Sequence, residues 1–193
     1  MRFFFPILFI LCYLGVFSQS PGYLHYDIED GLPSNLIYCA IQDREGYLWF
    51  GTDKGLTRFD GEHFKTYTTL EGLPDPEVIN LYEDFYGRLW IGCFSTKAAY
   101  RLGGQFFTAK NDTLLKSLSL SLGKVDFFEE QDSTLWILSG RQAMIRNNTT
   151  LKHGDPRLNI RIEKMHRIDT TLLGLYGNIV FKIEPTGKFK ELY

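Results

Sequence analysis

The sequence predicts an all-β fold, and three observations lead to that expectation. Aromatic residues make up 16% of the 193 residues, with 16 Phe, 11 Tyr and 18 Gly, a mixture that favours strands and tight turns over a helical bundle. A phrase around Trp49 recurs around Trp90, and short apolar runs alternate with Gly and Asp. The net charge of −2 is not that of a protein with a basic surface for nucleic acid, so we expect no nucleic-acid partner.

The first twenty residues form a segment of their own. One basic residue, Arg2, precedes an apolar run from Phe3 to Phe17, and small or polar residues follow up to Ser20. This layout is typical of a secretory signal peptide that is cleaved at about residue 18 to 20. A retained membrane anchor is the alternative, although an apolar run of about fifteen residues is short for a full span. We therefore expect an exported protein with no membrane span after cleavage.

The remaining chain repeats itself with a period of 41 residues. Gly-Leu-Pro at 31 and 72, the aspartates at 43 and 84, the glycines at 46 and 87, and Leu-Trp-x-Gly at 48 and 89 all keep this offset. Two weaker copies follow, one around Trp136 and one that retains Gly174 but no tryptophan. The sequence thus predicts about four repeats, at approximately 31–71, 72–112, 117–155 and 158–193.

Each repeat contains the signals of four short strands. In the first repeat, residues 36–42 are a mostly apolar run suited to a strand buried on both faces, and turns follow at Asp43–Gly46, Asp53–Gly55 and Asp60–Gly61. Further strands are predicted at 47–52, 55–60 and 63–68. A four-stranded antiparallel meander with a period near 41 is typical of a β-propeller blade.

The repeated residues are predicted to serve packing. A tryptophan at the same place in successive blades can fill the space between neighbours, and the glycine two places later leaves room for a close backbone approach. Ligand contact by the tryptophans is the alternative. We expect the turn aspartates to accept hydrogen bonds from nearby backbone N–H groups. The predicted structural positions are Trp49, Gly51, Trp90, Gly92, Trp136 and Gly174.

The phrase from Asp43 to Phe59, with Gly-Leu-Pro-Ser-Asn before it at 31–35, closely resembles the two-component regulator propeller repeat. The resemblance is specific over Tyr23 to Tyr100 and faint from Ser117 onwards. It implies the periplasmic sensor region of a histidine kinase or hybrid two-component system of the Bacteroidetes type. Complete members continue into a β-sandwich, a membrane span and a kinase, and hybrid members typically bind a glycan fragment.

The sequence departs from complete members by carrying no kinase motifs, so we expect no enzyme activity of this chain. It is interpreted as an N-terminal fragment, truncated before the membrane span and kinase. The leading hypothesis is an extracytoplasmic sensor or ligand-binding propeller. A stand-alone exported binding or scaffold module is the alternative, and a glycan-active propeller enzyme such as a lyase or glycosidase is less favoured.

The predicted array does not close. Residues 22–27 align with the fourth strand of the first repeat and are predicted to be an orphan outer strand, while residues 188–192 give the last blade its own outer strand. We therefore expect an incomplete, open arc. Its expected partners are further propeller blades or a second copy of the chain, besides a glycan or other small ligand.

A ligand site is expected where the outer strand of one blade connects to the inner strand of the next. These loops offer Ser34, Asn35, Asp75 and Glu77. The alternative is that Gly-Leu-Pro only shapes the crossover. No residue spacing typical of a catalytic centre, a metal site or a cofactor site is found, so we predict none of the three.

Overall fold

The computed structural model describes residues 24–95, 97–118, 125–129, 134–138, 143–146, 149–152, 164–168, 171–176, 179–183 and 189–192. The predicted signal peptide at residues 1 to 20 lies outside the described residues. Across the described ranges, no helix is both long and apolar enough to cross a membrane.

The described strands form antiparallel sheets of four strands each, and every sheet keeps its strands in chain order. Blade 1 consists of β1 (Ile37–Gln42), β2 (Leu48–Thr52), β3 (Gly55–Phe59) and β4 (Phe64–Tyr67). Blade 2 consists of β5 (Val78–Glu83), β6 (Leu89–Cys93), β7 (Ala98–Leu102) and β8 (Gln105–Phe107).

The two later sheets follow the same meander. Blade 3 consists of β9 (Asp126–Glu129), β10 (Leu135–Leu138), β11 (Ala143–Arg146) and β12 (Thr149–Lys152). Blade 4 consists of β13 (Lys164–Ile168), β14 (Thr171–Tyr176), β15 (Ile179–Ile183) and β16 (Phe189–Glu191). These sheets stay separate from one another and do not merge into a closed barrel in the part described. The predicted all-β class of propeller blades is confirmed.

An aspartate organises the first turn of blade 1 and the first turn of blade 2. Oδ1 of Asp43 accepts hydrogen bonds from the backbone N–H groups of Glu45 and Tyr47 at 3.0 and 2.9 Å. Oδ1 of Asp84 accepts two equivalent bonds, from Tyr86 and Arg88, at 2.9 Å each. Both aspartates therefore form the turns in the way that the sequence predicts.

Each blade has two different faces, because successive side chains of a strand point to opposite sides. In blade 1, Trp49, Gly51, Leu56 and Tyr67 share one side, which we call the tryptophan face. The other side, the leucine face, carries Ile37, Leu48, Phe50, Phe59 and Phe64.

The blades stack with unlike faces in contact. The tryptophan face of blade 1 packs on the leucine face of blade 2 in one cluster of buried residues that includes Trp49, Leu56, Leu81 and Ile91. The tryptophan face of blade 2 packs on blade 3 in a second cluster, which joins Trp90 to Val125, Leu135 and Ile137. Trp49, Trp90 and Trp136 are 1%, 0% and 3% exposed.

Gly51 and Gly92 lie where the next blade comes closest. A Cβ on Gly51 would lie 2.6 Å from the carbonyl oxygen of Val78 and 2.5 Å from Sγ of Cys39. A Cβ on Gly92 would lie 3.2 Å from the carbonyl oxygen of Val125. Both glycines therefore allow the backbone of the following blade to approach. Gly174, the corresponding predicted position in blade 4, is buried and lies in β14.

The prediction that β1 is buried on both faces is wrong. Ile37 and Tyr38 are each 40% exposed, and only Cys39 and Ile41 are partly buried, against blade 2. The apolar run belongs to a strand whose leucine face has no blade against it among the described residues. An apolar run by itself does not show which of its two sides is covered.

Two further local features differ from the expectation. Residues 24–27, the described part of the predicted orphan strand, are not in a strand and pair with none of the described sheets. A short helix, α1 (Thr113–Ser117), separates blades 2 and 3, with Asp112 as its N-cap. This insertion explains why Trp136 follows Trp90 by 46 residues and not by 41.

Candidate functional site

The predicted ligand-site residues lie at one edge of the blades, which we call the upper edge, where β1 and β5 begin. Two of them make hydrogen bonds within the loops that lead into β1 and β5. Oγ of Ser34 accepts a hydrogen bond from the N–H of Leu36 at 3.0 Å, and Oδ1 of Asp75 accepts one from the N–H of Glu77 at 3.0 Å. Ser34 is also buried. These equivalent bonds favour a loop-shaping role for Ser34 and Asp75.

Glu77 is placed differently, since its carboxylate contacts the preceding blade. The phenol of Tyr38 donates a hydrogen bond of 2.6 Å to Oε1 of Glu77. The backbone N–H of Phe94 donates to the carbonyl oxygen of Glu77 at 3.0 Å. We call these three residues, Tyr38, Glu77 and Phe94, the Tyr38 cluster. Tyr38 is 40% exposed, Phe94 is 64% exposed and Glu77 is half-buried, so the cluster presents two rings to solvent.

The electrostatics of the cluster are acidic. The hydrogen bond to Glu77 is the main cause that raises the pKa of Tyr38 to about 12, and the nearby Asp53 carboxylate contributes to the same shift. Oδ1 of Asp53 is shielded from solvent and has no hydrogen-bond partner among the described residues. The phenol of Tyr38 is protonated at neutral pH and donates its hydrogen bond to the Glu77 carboxylate.

Only some of the predicted ligand-site residues lie together in the structure. Asn35 lies in the loop before β1 with an exposed side chain. Sequence reasoning missed Tyr38 and Phe94, because Tyr38 belongs to an apolar strand and Phe94 replaces a polar residue, Asp53, of the first repeat. The contact between Tyr38 and Glu77 spans 39 residues, so no local pattern could indicate it.

A cavity of about 740 Å³ lies further out on the same edge of blade 2. Leu73, Phe106 and Leu115 give it an apolar floor, and Lys97 and Lys110 contribute cationic groups. Nζ of Lys97 already donates to the carbonyl oxygen of Pro74 at 3.2 Å. The four predicted site residues are not among the described residues that line this cavity.

The opposite, lower edge carries contacts that tie blades together. The Arg44 guanidinium donates to the carbonyl oxygens of Asp84 and Phe85 at 2.6 Å each, and the N–H of Arg44 donates to the Glu83 carboxylate at 2.9 Å. In the next pair of blades, the N–H of Phe85 donates to the Glu129 carboxylate at 2.9 Å. These groups are occupied by inter-blade bonds, which makes the lower edge structural.

Among the described residues, no group of three or more His, Cys, Asp or Glu side chains is arranged to hold a metal ion. Neither Cys39 nor Cys93 forms a disulfide bond in the part of the chain that the structure describes. Burial raises the pKa of Cys93 to about 12, which keeps this thiol protonated and unreactive at neutral pH.

Solved structures share the fold. A catalytically inactive variant of virginiamycin B lyase from Staphylococcus aureus, crystallised with quinupristin, aligns with a TM-score of 0.62 and 17% identity over 83% of this chain. The extracellular domain of a protein described as a hybrid two component system of B. thetaiotaomicron aligns with a TM-score of 0.56 and 13% identity over 83% of this chain. PorZ, a surface component of the type-IX secretion system of Porphyromonas gingivalis, aligns with a TM-score of 0.63 and 13% identity over 82% of this chain.

This chain spans only part of those proteins. It covers 57% of the lyase, 30% of the B. thetaiotaomicron domain and 22% of PorZ. At these identities the likeness concerns the fold alone. No curated protein sequence matches the chain.

The family comparison concerns the repeats themselves. The sequence pattern described as the two component regulator propeller matches residues 31–54 and 72–95. These ranges contain the two clear copies of the 41-residue repeat, from Gly-Leu-Pro to the turn after β2 and β6. Over its first two repeats the chain therefore matches the two component regulator propeller.

Proposed function

We propose that the chain is the extracytoplasmic, ligand-binding propeller of a two-component signalling protein. The two matched family repeats support a place in such a protein. The fold supports it too, because an extracellular domain of a hybrid two component system is built the same way. The proposal includes export by the N-terminal segment, which mass spectrometry of the secreted chain tests through cleavage at about residue 18 to 20.

The Tyr38 cluster is the observation that carries the ligand-binding role. Glu77 offers a carboxylate acceptor for hydroxyl groups, and its bond from Tyr38 fixes the orientation of the acceptor. The exposed ring of Phe94, whose backbone N–H is bonded to the carbonyl of Glu77, offers a flat apolar surface. A sugar ring presents hydroxyls at its rim and C–H groups on its face, so a glycan fragment fits both features.

The test is a thermal shift screen of the purified mature chain against oligosaccharides. We expect one class of glycan to raise the melting temperature. Phe94→Ala and Glu77→Gln are expected to abolish that shift. Phe85→Ala is the matched control, because Phe85 is 62% exposed on the same blade but at the lower edge, and it is expected to keep the shift.

Two results would contradict the proposal. No melting-temperature change with any glycan would argue against glycan sensing. A shift that survives Phe94→Ala but is lost in Lys110→Ala would place the ligand in the lysine-lined cavity and not at the Tyr38 cluster.

A further inference from the structure

The lysine-lined cavity, of about 740 Å³, lies where one connection departs from the repeat. Blades 1 and 2 are joined by a connection that contains Gly-Leu-Pro at 72–74, whereas the connection between blades 2 and 3 contains α1. Leu115 of α1 and Leu118 just after it line the cavity together with Leu73 of the earlier connection. Blades 1 and 2 stack without such an insertion, so blade packing does not by itself account for the cavity.

The wall that α1 gives to the cavity is fixed to blade 2 by the N-cap of the helix. Oδ1 of Asp112 accepts a hydrogen bond from the N–H of Leu115 at 2.8 Å. Oδ2 of the same carboxylate accepts one from the phenol of Tyr100, in β7, at 2.8 Å. The wall is therefore in place before a ligand arrives, which lowers the entropic cost of binding.

The turn after β8 fixes the backbone that carries Lys110, and its polar side chains are engaged in doing so. Oδ1 of Asn111 accepts from the N–H of Thr108 at 2.7 Å, and Nδ2 of Asn111 donates to the carbonyl oxygen of Phe106 at 3.1 Å. The Thr108 hydroxyl accepts from the N–H of Lys110 at 3.3 Å. The amide and hydroxyl groups of this turn thus already have partners within the protein.

The cavity carries positive charge that its lining does not balance. The described lining residues include Lys97 and Lys110 but no Asp or Glu. Neither lysine forms an ion pair with another residue in the part of the chain that the structure describes. The bond from Nζ of Lys97 to the carbonyl oxygen of Pro74 engages only one of the three N–H groups of an ammonium. Both ammonium groups can therefore bind an anion, in a chain whose net charge is −2.

We propose that the lysine-lined cavity binds a small amphipathic carboxylate, with an apolar ring system on the floor and the carboxylate at the two lysines. Leu73, Phe106 and Leu115 supply the floor, and removal of an apolar ring from water favours its binding there. The volume lies within the range of roughly 300 to 1,000 Å³ that is usual for small-molecule sites. A sugar would leave hydroxyl groups unpaired on this floor, so the ligand differs in class from the glycan proposed for the Tyr38 cluster.

The test is isothermal titration calorimetry of the purified chain with naphthoate, a carboxylate on an apolar double ring. Two further ligands separate its features. Naphthamide keeps the ring system without the charge, and glucuronate keeps the charge on a hydroxyl-rich ring. We expect saturable binding of naphthoate and binding of naphthamide that is weaker by about tenfold or more, because hydrogen bonds to a charged group contribute a factor of this order. Glucuronate is expected to give no measurable binding.

Three variants locate the bound naphthoate. Lys110→Met removes the charge but keeps an apolar stem, and it is expected to weaken binding by about tenfold. Lys116→Met is the matched control, because Lys116 is an exposed lysine of α1 that is not among the described lining residues. Ala109→Trp introduces a large ring from an exposed lining position. This variant should abolish binding and keep the circular dichroism spectrum of the chain.

The inference is overturned if naphthoate does not bind, if naphthamide or glucuronate binds as tightly, or if Lys116→Met weakens binding as much as Lys110→Met. It is also overturned if binding persists in both Lys110→Met and Ala109→Trp, since the ligand would then lie elsewhere. Phe94→Ala removes a ring of the Tyr38 cluster and is expected to bind naphthoate unchanged. Failure of the naphthoate titration would leave the oligosaccharide screen unaffected, so the two proposals are tested separately.

Discussion

The indole Nε1 of Trp49 donates a hydrogen bond of 2.6 Å to Oδ2 of Asp43, the residue that shapes the turn before its strand. Trp90 and Asp84 repeat this relationship at 2.8 Å. One carboxylate thus organises a surface turn with one oxygen and fixes a buried ring with the other. The position of the ring between two blades depends on a polar contact made six residues earlier.

This contact predicts unequal effects of Asp43→Asn and Asp84→Asn. Asp84 is fully buried and also accepts a bond of 2.5 Å from Nε of Arg88, whose side chain is 6% exposed. Asp84→Asn removes the negative charge that this buried guanidinium contacts, and we expect a loss of about 3 kcal/mol in the free energy of unfolding. Asp43→Asn should cost about 1 kcal/mol. Urea denaturation of both variants measures the difference, and equal losses would contradict it.

Gly51→Ala is expected to destabilise the chain more than Gly92→Ala. The added methyl group would lie 2.6 Å from the Val78 carbonyl oxygen at the first site, but 3.1 Å from the nearest atom of Val125 at the second. Overpacking of this kind costs about 1 to 3 kcal/mol. Thermal unfolding monitored by tryptophan fluorescence compares the variants. A larger effect at Gly92 would show that the contact between blades 1 and 2 relaxes more easily than the distances indicate.

Arg44→Lys is expected to weaken the contact between blades 1 and 2 nearly as much as Arg44→Ala. The guanidinium reaches two neighbouring carbonyl oxygens at once, and an ammonium group does not reproduce that fork. Each variant should lose about 1 kcal/mol in the free energy of unfolding, measured by urea denaturation. Full stability in Arg44→Lys would mean that charge near the carbonyl groups is sufficient.

The chain is expected to lose stability in alkaline solution. Burial is the main cause that raises the pKa of Tyr82 and of Tyr100 from 10.0 to about 12. Between these values the folded chain binds more protons than the unfolded chain, so the free energy of unfolding falls as the pH rises from about 10 to about 12. Tyr82→Phe removes one ionisation and should flatten the decline. Urea titrations at several pH values measure the slope, and an unchanged slope would contradict the assignment to Tyr82.

The sequence was sufficient to predict the repeats, their turns and the four strands of a blade, because those depend on local chemistry. Asp43 and Gly46 form a turn from their own residues, and the glycine takes a φ of +93°. Helix α1 was missed, since Thr113 to Ser117 replaces a linker for which the repeat offers no template.

The candidate site was predicted less well because it depends on contacts between blades. Ser34 and Asp75 have side chains that suit a ligand site, but the loops use them for their own backbone bonds. Glu77 gains its partner from β1 of the preceding blade, and Tyr38 reads in sequence as part of an apolar run. The period of 41 indicates which residues are equivalent but not which of them meet.

The contact between Gly51 and Val78 has a consequence for how the fold tolerates change. A backbone carbonyl that meets a residue without a side chain fixes the separation of two sheets by peptide geometry, not by side-chain volume. The distance between these two sheets then depends little on which apolar side chains pack around the contact. Solved structures with only 13% identity to this chain share its fold, as expected where peptide geometry sets the spacing of the sheets.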